Sequence, residues 1–239
     1  MHIGRWQFKP AWWALAVFLP LLGLLCGLGV WQVQRAQQKA LMISERSQVG
    51  KADPRPLDQA LAGERSGWIR VTASGRYDGD RQLLLDNQVN DSQPGFHVWT
   101  PLSLADGRLL MVNRGWIPGA RDRQNLPSPT AEPEARVVTG YLRDWPEPGL
   151  RLAAQPCEQT GWPRVVNYPR FSEVACQYEA PVVDGLLLLG PDQPAGFTRN
   201  WSYVEMSPTR HYGYAVQWFG LAIALSAIFL IMNGKKDDR

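Results

Sequence analysis

"TRHYGYAVQWFGLAIALSAIFLIM", Thr209 to Met232, carries no charged residue after Arg210, and the next one downstream is Lys235. A helix crossing a hydrocarbon core of about 30 Å needs about 20 apolar residues, and Tyr212 to Met232 meets that length. Tyr212, Tyr214 and Trp218 crowd its first turns, as an aromatic belt does at a membrane interface. At its mouth stands His211, one of three histidines in 239 residues. An imidazole at that level is either an interfacial anchor with its polar tip in water or a ligand.

A second apolar block lies at the other end. "PAWWALAVFLPLLGLLCGLGVWQVQ" fills the interval between Lys9 and Arg35 without a charge. Ala11 to Trp31 is long enough to span, and Trp6, Trp12, Trp13 and Trp31 flank it. Its apolar core exceeds that of a cleaved signal, and bulky "VWQVQ" stands where small residues belong, so it reads as a retained anchor. Two spans place both tails on one side, which gives a tail at 1–10, spans at 11–31 and 212–232, a domain at 32–211 and a tail at 233–239. Arg5, Lys9, Lys235, Lys236 and Arg239 flank the tail side, against Arg35, Lys39, Arg46, Arg199 and Arg210 on the domain side. That balance leaves orientation open. A loop of this length translocates largely regardless of its charge, so the expected arrangement has both tails cytoplasmic and the domain outside.

The net charge of +3, from 25 basic and 22 acidic residues, together with the lack of any basic run, argues against nucleic acid as a partner. "QVQRAQQKALM" continues the first helix in good helix formers, with a break expected near Gly50. "DPRPLDQALAG" reads as a short helix behind prolines. Beyond it the period shortens. "WIRVTASGRY", "RQLLLDNQ", "FHVWTPLSL", "RLLMVNRGW", "RVVTGYLR", "PRVVN", "VVDGLLLLG" and "NWSYVEM" are short β-rich runs between turn residues. Asp106-Gly107 reads as a hairpin turn. "PRFSEVACQYE" suggests one more helix, and the proline-rich Leu126 to Ala135 a surface loop. The fold class is α+β, a two-transmembrane-helix hairpin carrying a mostly antiparallel β domain.

Cys26 lies in the first span as a small apolar packing residue. Cys157 and Cys176 would face an oxidising compartment, either as a disulfide worth about 3 kcal/mol or as two unpaired thiols. No CxxC or HExxH marks a metal site. The chain has no GxSxG, Walker A or GxGxxG, and is read as a non-enzyme. His97, alternating with Phe96 and Val98, reads as a half-exposed strand residue. In "VNRGWIPGARD", a strand closes into a tight turn that holds Arg114 near Trp116, where it can stack on the ring, or that is simply a corner fixing the sheet.

Five segments occur in order: "GLGVWQVQRAQQKALM", "GRYDGDRQLLLDNQ", "GFHVWTPL", "VNRGWIP" and "RHYGYAVQWFGLA". Together with the two-span layout they resemble the Surfeit locus protein 1 family of cytochrome c oxidase assembly factors. The likeness covers both spans and most of residues 65–120, and it is weak from Asp144 to Phe197. It implies an assembly factor for haem–copper oxidase that receives haem a transiently and aids its insertion. Expected partners are the oxidase catalytic subunit, haem a synthase and the lipid bilayer. With the first span starting by residue 11, a bacterial cytoplasmic membrane is the expected location. The alternative is a chaperone of oxidase subunits that binds no haem, and a more distant one is a tethered extracytoplasmic enzyme.

The family's haem-linked histidine falls on His211. Neutral imidazole is a good axial ligand for haem iron. At helical spacing His211, Tyr214, Ala215, Trp218 and Ala222 share a face. Gly23, Gly27 and Gly29 in the other span would permit close approach of a helix or a flat ring. Arg35 and Arg210, at the same level, are candidates to pair with propionates, or simply snorkel at helix ends.

Overall fold

After Gly63 the apolar residues stop recurring at helical spacing and alternate, and the chain turns from helix to sheet there. The structure, a computed structural model, describes residues 2–3, 6–63, 67–119, 126–146, 156–157, 160–201 and 207–236. In chain order come β1 (His2–Ile3), β2 (Trp6–Phe8), α1 (Trp12–Lys51), β3 (Arg55–Pro56) and α2 (Leu57–Ala62). Then follow β4 (Ile69–Tyr77), β5 (Leu83–Asn90), β6 (Gln93–Leu104), β7 (Leu109–Pro118) and β8 (Ala135–Arg143). The remainder is β9 (Arg164–Val166), α3 (Phe171–Ala175), β10 (Val182–Leu189), α4 (Pro208–Asn233) and β11 (Gly234–Lys236). The chain divides into two compact units, with breaks between residues 47 and 48 and between 201 and 202.

The first unit is built on α1 and α4, both long and apolar enough to cross a membrane. They pair as antiparallel neighbours. Phe18 stacks on Phe229 with ring centres 4.0 Å apart, and Gly29 is buried under Phe219, whose ring a Cβ there would meet at 2.7 Å. Gly23 and Gly27 instead face open space. They therefore lie off the helix–helix seam, one of the two uses that the sequence offered for them. Trp12 and Trp13 are 82% and 61% exposed, as interfacial aromatics are. β2 pairs with β11, setting Phe8 opposite Gly234. The two tails thus meet at the same end of the helical pair. α1 runs its full 40 residues to Lys51, close to the expected break at Gly50.

The second unit is a mixed sheet in the order β3-β4-β8-β10-β7-β6-β5-β9, with a further ladder joining β4 to β6. That ladder closes β4, β8, β10, β7 and β6 into a five-stranded barrel. Alternate residues point inward. Val71, Ala73, Tyr77, Leu102, Leu110, Val112, Val138, Leu142, Leu187 and Leu189 form its core, and Leu57 and Ala60 of α2 join it. A Cβ at Gly140 would overlap the Leu188 carbonyl oxygen, so only glycine lets β8 and β10 approach this closely. The outer face of β6 and β7 is covered as well. Trp99 packs edge-on to Trp145, and Trp145 lies tilted against Phe171. This explains why nine of the ten residues of β7 are buried.

The ladders β4–β8, β8–β10, β6–β7, β5–β6 and β4–β6 are antiparallel, whereas β7–β10, β3–β4 and β5–β9 are parallel. Parallel neighbours need long crossovers, which local turn signals do not reveal, so the sheet is mixed. "NWSYVEM" forms no strand at Asn200 and Trp201, and its other residues lie outside the described ones. α3 is the short helix expected near Phe171, and the Glu173 carboxylate accepts from Arg170 N at 2.8 Å. Cys157 and Cys176 are joined as a disulfide with Cα atoms 5.5 Å apart.

Leu187 is fully buried in the barrel, whereas Val137 on the outward face of β8 is 64% exposed. Leu187→Ala should lower unfolding free energy by about 2–5 kcal/mol, and Val137→Ala by about 0.5 kcal/mol or less, in denaturant titrations of the detergent-solubilised protein.

Candidate functional site

The start of α4 is set by local chemistry. Ser207 caps the helix, with its hydroxyl accepting from Arg210 N, and Pro208 follows where a missing N–H costs nothing. That places His211 in the first turn, on the stripe that also carries Ala215 and Ala222, and all three are buried. Against it lies Gln32 of α1, whose Oε1 stands 2.7 Å from His211 Nδ1. An amide oxygen only accepts, so Nδ1 carries the proton and the lone pair of the neutral ring sits on Nε2. Among the described residues Nε2 has no hydrogen-bond partner. A buried imidazole with one nitrogen tied to an acceptor and the other left as a lone pair has the donor chemistry that haem iron takes.

Trp218 is half-buried beside the same stripe. Tyr214 is 44% exposed and turned to its flank, because its helical angle differs from that of Ala215 by a full 100° step. Arg35 is exposed. Its guanidinium lies 5.8 Å from the Trp31 ring centre and donates to Gln38 Oε1 at 3.2 Å, both on its own helix. Arg210 is also exposed. Neither guanidinium bonds to His211 among the described residues. The sequence reading missed Gln32. Its signal was a hydrogen-bonding side chain at the inner edge of a charge-free span, level with His211 when the two helices are counted from the paired tails.

His97 in β6 has the opposite tautomer. Asn113 Oδ1 accepts from Gly115 N at 3.1 Å, which leaves its Nδ2 to face His97 Nδ1 at 3.2 Å. Nδ1 is therefore the acceptor and Nε2 holds the proton. His97 is half-buried with its ring edge-on to Trp201, and burial pushes its pKa down to about 4.

Arg114 does not stack on Trp116. The ladder to β6 shifts register here: Trp99 pairs with Asn113 and His97 with Trp116, so Arg114 and Gly115 both oppose Val98. The extra residue resets the alternation and sends the two side chains to opposite faces. Gly115 makes the bulge with φ of 120°, a left-handed conformation that favours glycine. Arg114 lies instead over Tyr77 and Phe197, bonded to the carbonyls of Ala195 and Thr130. Trp116 Nε1 donates to Gln88 O. Ala120, Arg121 and Asp122, the end of that motif, lie outside the described residues.

One open groove in the barrel unit has a volume of about 360 Å³, between α2, β4 and the β6–β7 turn. Its charged groups are paired with one another, Arg108 to Asp58 at 2.6 Å and to Asp106. Hydrogen bonds from Arg108 hold the Asp106 carboxyl below the usual range. Among the described residues no three His, Cys, Asp or Glu side chains converge as a metal site.

The SURF1 family model matches residues 19–223, taking in much of both long helices and the whole barrel. The chain belongs to the SURF1 family. It is 26% identical over 222 residues to an uncharacterised SURF1-like protein of Mycobacterium tuberculosis, covering 90% of this chain and 80% of that one. It is 22% identical over 232 residues to a SURF1-like protein of Rickettsia felis, covering 90% and 94%. Surfeit locus protein 1 of Takifugu rubripes is 27% identical over 231 residues, covering 88% and 92%.

The depressed pKa of His97 has a stability consequence. The ring is neutral in the fold down to about pH 4, while the unfolded chain takes up a proton from about pH 6.5. The unfolded state thus binds more protons in that window, and stability falls as pH drops from about 6.5 to about 4, by on the order of 3 kcal/mol. Unfolding midpoints measured across that range should fall for the wild type and flatten for His97→Gln.

Proposed function

We propose that this SURF1 family member is an assembly factor for haem–copper (cytochrome c) oxidase, holding haem a as transient cargo and aiding its insertion into the catalytic subunit. The family is known as one of cytochrome oxidase assembly factors. The observation that carries the haem reading is the buried His211, with Nδ1 tied to Gln32 Oε1 and Nε2 left as a lone pair. His211 would hold the iron, Ala215 one turn on would leave room beside it for a flat ring, and the half-buried Trp218 would border the macrocycle. Tyr214, Arg35 and Arg210, all exposed, would meet only the periphery of such a cargo, the arginines through its carboxylates. Gln32 would act by orienting the imidazole and fixing its tautomer.

In this reading the two helices anchor the chain in a bacterial cytoplasmic membrane, with both tails cytoplasmic and the barrel outside. A disulfide between Cys157 and Cys176 fits an oxidising compartment. The oxidase catalytic subunit is the proposed client and haem a synthase the proposed donor. Co-purification with tagged subunits distinguishes direct docking from action at a distance.

Protein purified from cells making haem a should carry a haem spectrum. His211→Ala should lose it while still inserting, because the span stays long and apolar and alanine suits a helix. Gln32→Leu should weaken haem retention about tenfold or more. His97→Ala should leave the spectrum intact. A wild-type spectrum from His211→Ala would reduce that residue to an interfacial anchor, and a wild-type protein free of haem would favour a chaperone that acts on oxidase subunits alone. A reporter active only outside the cytoplasm, fused after Arg239, should stay silent. Its activity would invert the topology.

A further inference from the structure

At one end of the barrel three guanidinium groups gather around a single phenol. Arg114 is 3% exposed, and its guanidinium carbon lies 5.0 Å from the Tyr77 ring centre and 4.8 Å from that of Phe197. Arg136 lies 5.5 Å from the Tyr77 ring centre, and Arg199 stands close enough to act on the phenol electrostatically. One carboxylate is available to these cations among the described residues, that of Glu132, bonded to Arg136 at 2.6 Å and 70% exposed. Among the described residues, Arg114 and Arg199 bond to backbone carbonyls alone, those of Ala195, Thr130, Gly190 and Gln193.

Two donors in this cluster are buried and unmatched among the described residues, the Tyr77 hydroxyl and Arg136 Nε. Tyr77 itself is 5% exposed. Burial pushes its pKa up to about 12 against the opposing pull of the arginines, so the phenol keeps its proton and donates. A buried donor without an acceptor costs about 1–3 kcal/mol, and gathering like charges away from water adds to that. A neutral acceptor satisfies the donors but leaves the excess positive charge. An oxyanion answers both, since it only accepts and forms short charge-assisted bonds with guanidinium.

We propose that the Tyr77–Arg114–Arg136 end of the barrel is a binding site for a small oxyanion, a phosphate or a carboxylate. It lies wholly within the barrel unit and does not depend on the haem reading.

The test is the unfolding midpoint of the full-length protein in detergent, titrated with inorganic phosphate or acetate at constant ionic strength set with chloride. Wild type should show a saturable rise with at least one of them, and which one identifies the class. Tyr77→Phe keeps the ring against Arg114 and removes only the hydroxyl, so the half-saturating concentration should rise several-fold. Arg136→Gln should raise it about tenfold or more. If Arg136→Gln fails to fold, Tyr77→Phe decides alone. The proposal is overturned by a wild-type midpoint that responds no more to phosphate or acetate than to chloride. It is equally overturned by a Tyr77→Phe protein that saturates at the wild-type concentration.

Discussion

Polar groups removed from water must be satisfied from within, and both units of this chain are organised around that constraint. In the helical unit the backbone satisfies itself, so the exceptions are side chains, and His211 and Gln32 answer one another across the seam. In the sheet unit the β4–β6 ladder abolishes the two edges that an open five-stranded sheet would expose. Closure then dictates the rest. It forces alternate residues inward, demands glycine where β8 and β10 crowd together, and leaves the outward face of β6 and β7 to be roofed by Trp99, Trp145 and Phe171.

His211 and His97 show how one amide sets the chemistry of a ring. Gln32 offers its oxygen to His211, and Asn113 offers its nitrogen to His97 because its oxygen is already committed to Gly115. One imidazole is thereby left with a free lone pair and the other with a free N–H. Burial also keeps His97 neutral well below its ordinary range, which suits a packing residue beside Trp201. The same residue type therefore serves two purposes, and the neighbour decides which.

The Arg114–Gly115 bulge has an equivalent role in the barrel. Without the extra residue, Arg114 and Trp116 would share a face. With it, Trp116 turns outward to bond Gln88 O, and Arg114 turns inward onto Tyr77 and Phe197. One left-handed glycine thus carries a permanent cation into the barrel end, beside Tyr77 and Arg136.

Much was legible in the linear chain because it depends on composition and local period. Charge-free runs of bilayer length revealed both helices, and alternation revealed β4 to β8 and β10 to within a few residues. His211 stood out because a polar ring at the mouth of an apolar span is conspicuous in any context. What tertiary structure alone decided was every relation between residues far apart in the chain. The parallel neighbours of β7, β3 and β5, the closure of β4 on β6 and the Cys157–Cys176 bond are of this kind. So is the choice of Gly29 over Gly23 and Gly27 as the seam, since all three are apolar positions of one helix and only the angle at which α4 lies distinguishes them. The partner of Gln32 was unreadable for the same reason. A glutamine in a span announces the need for a partner, and the partner stands 179 residues away, set by how two helices pair.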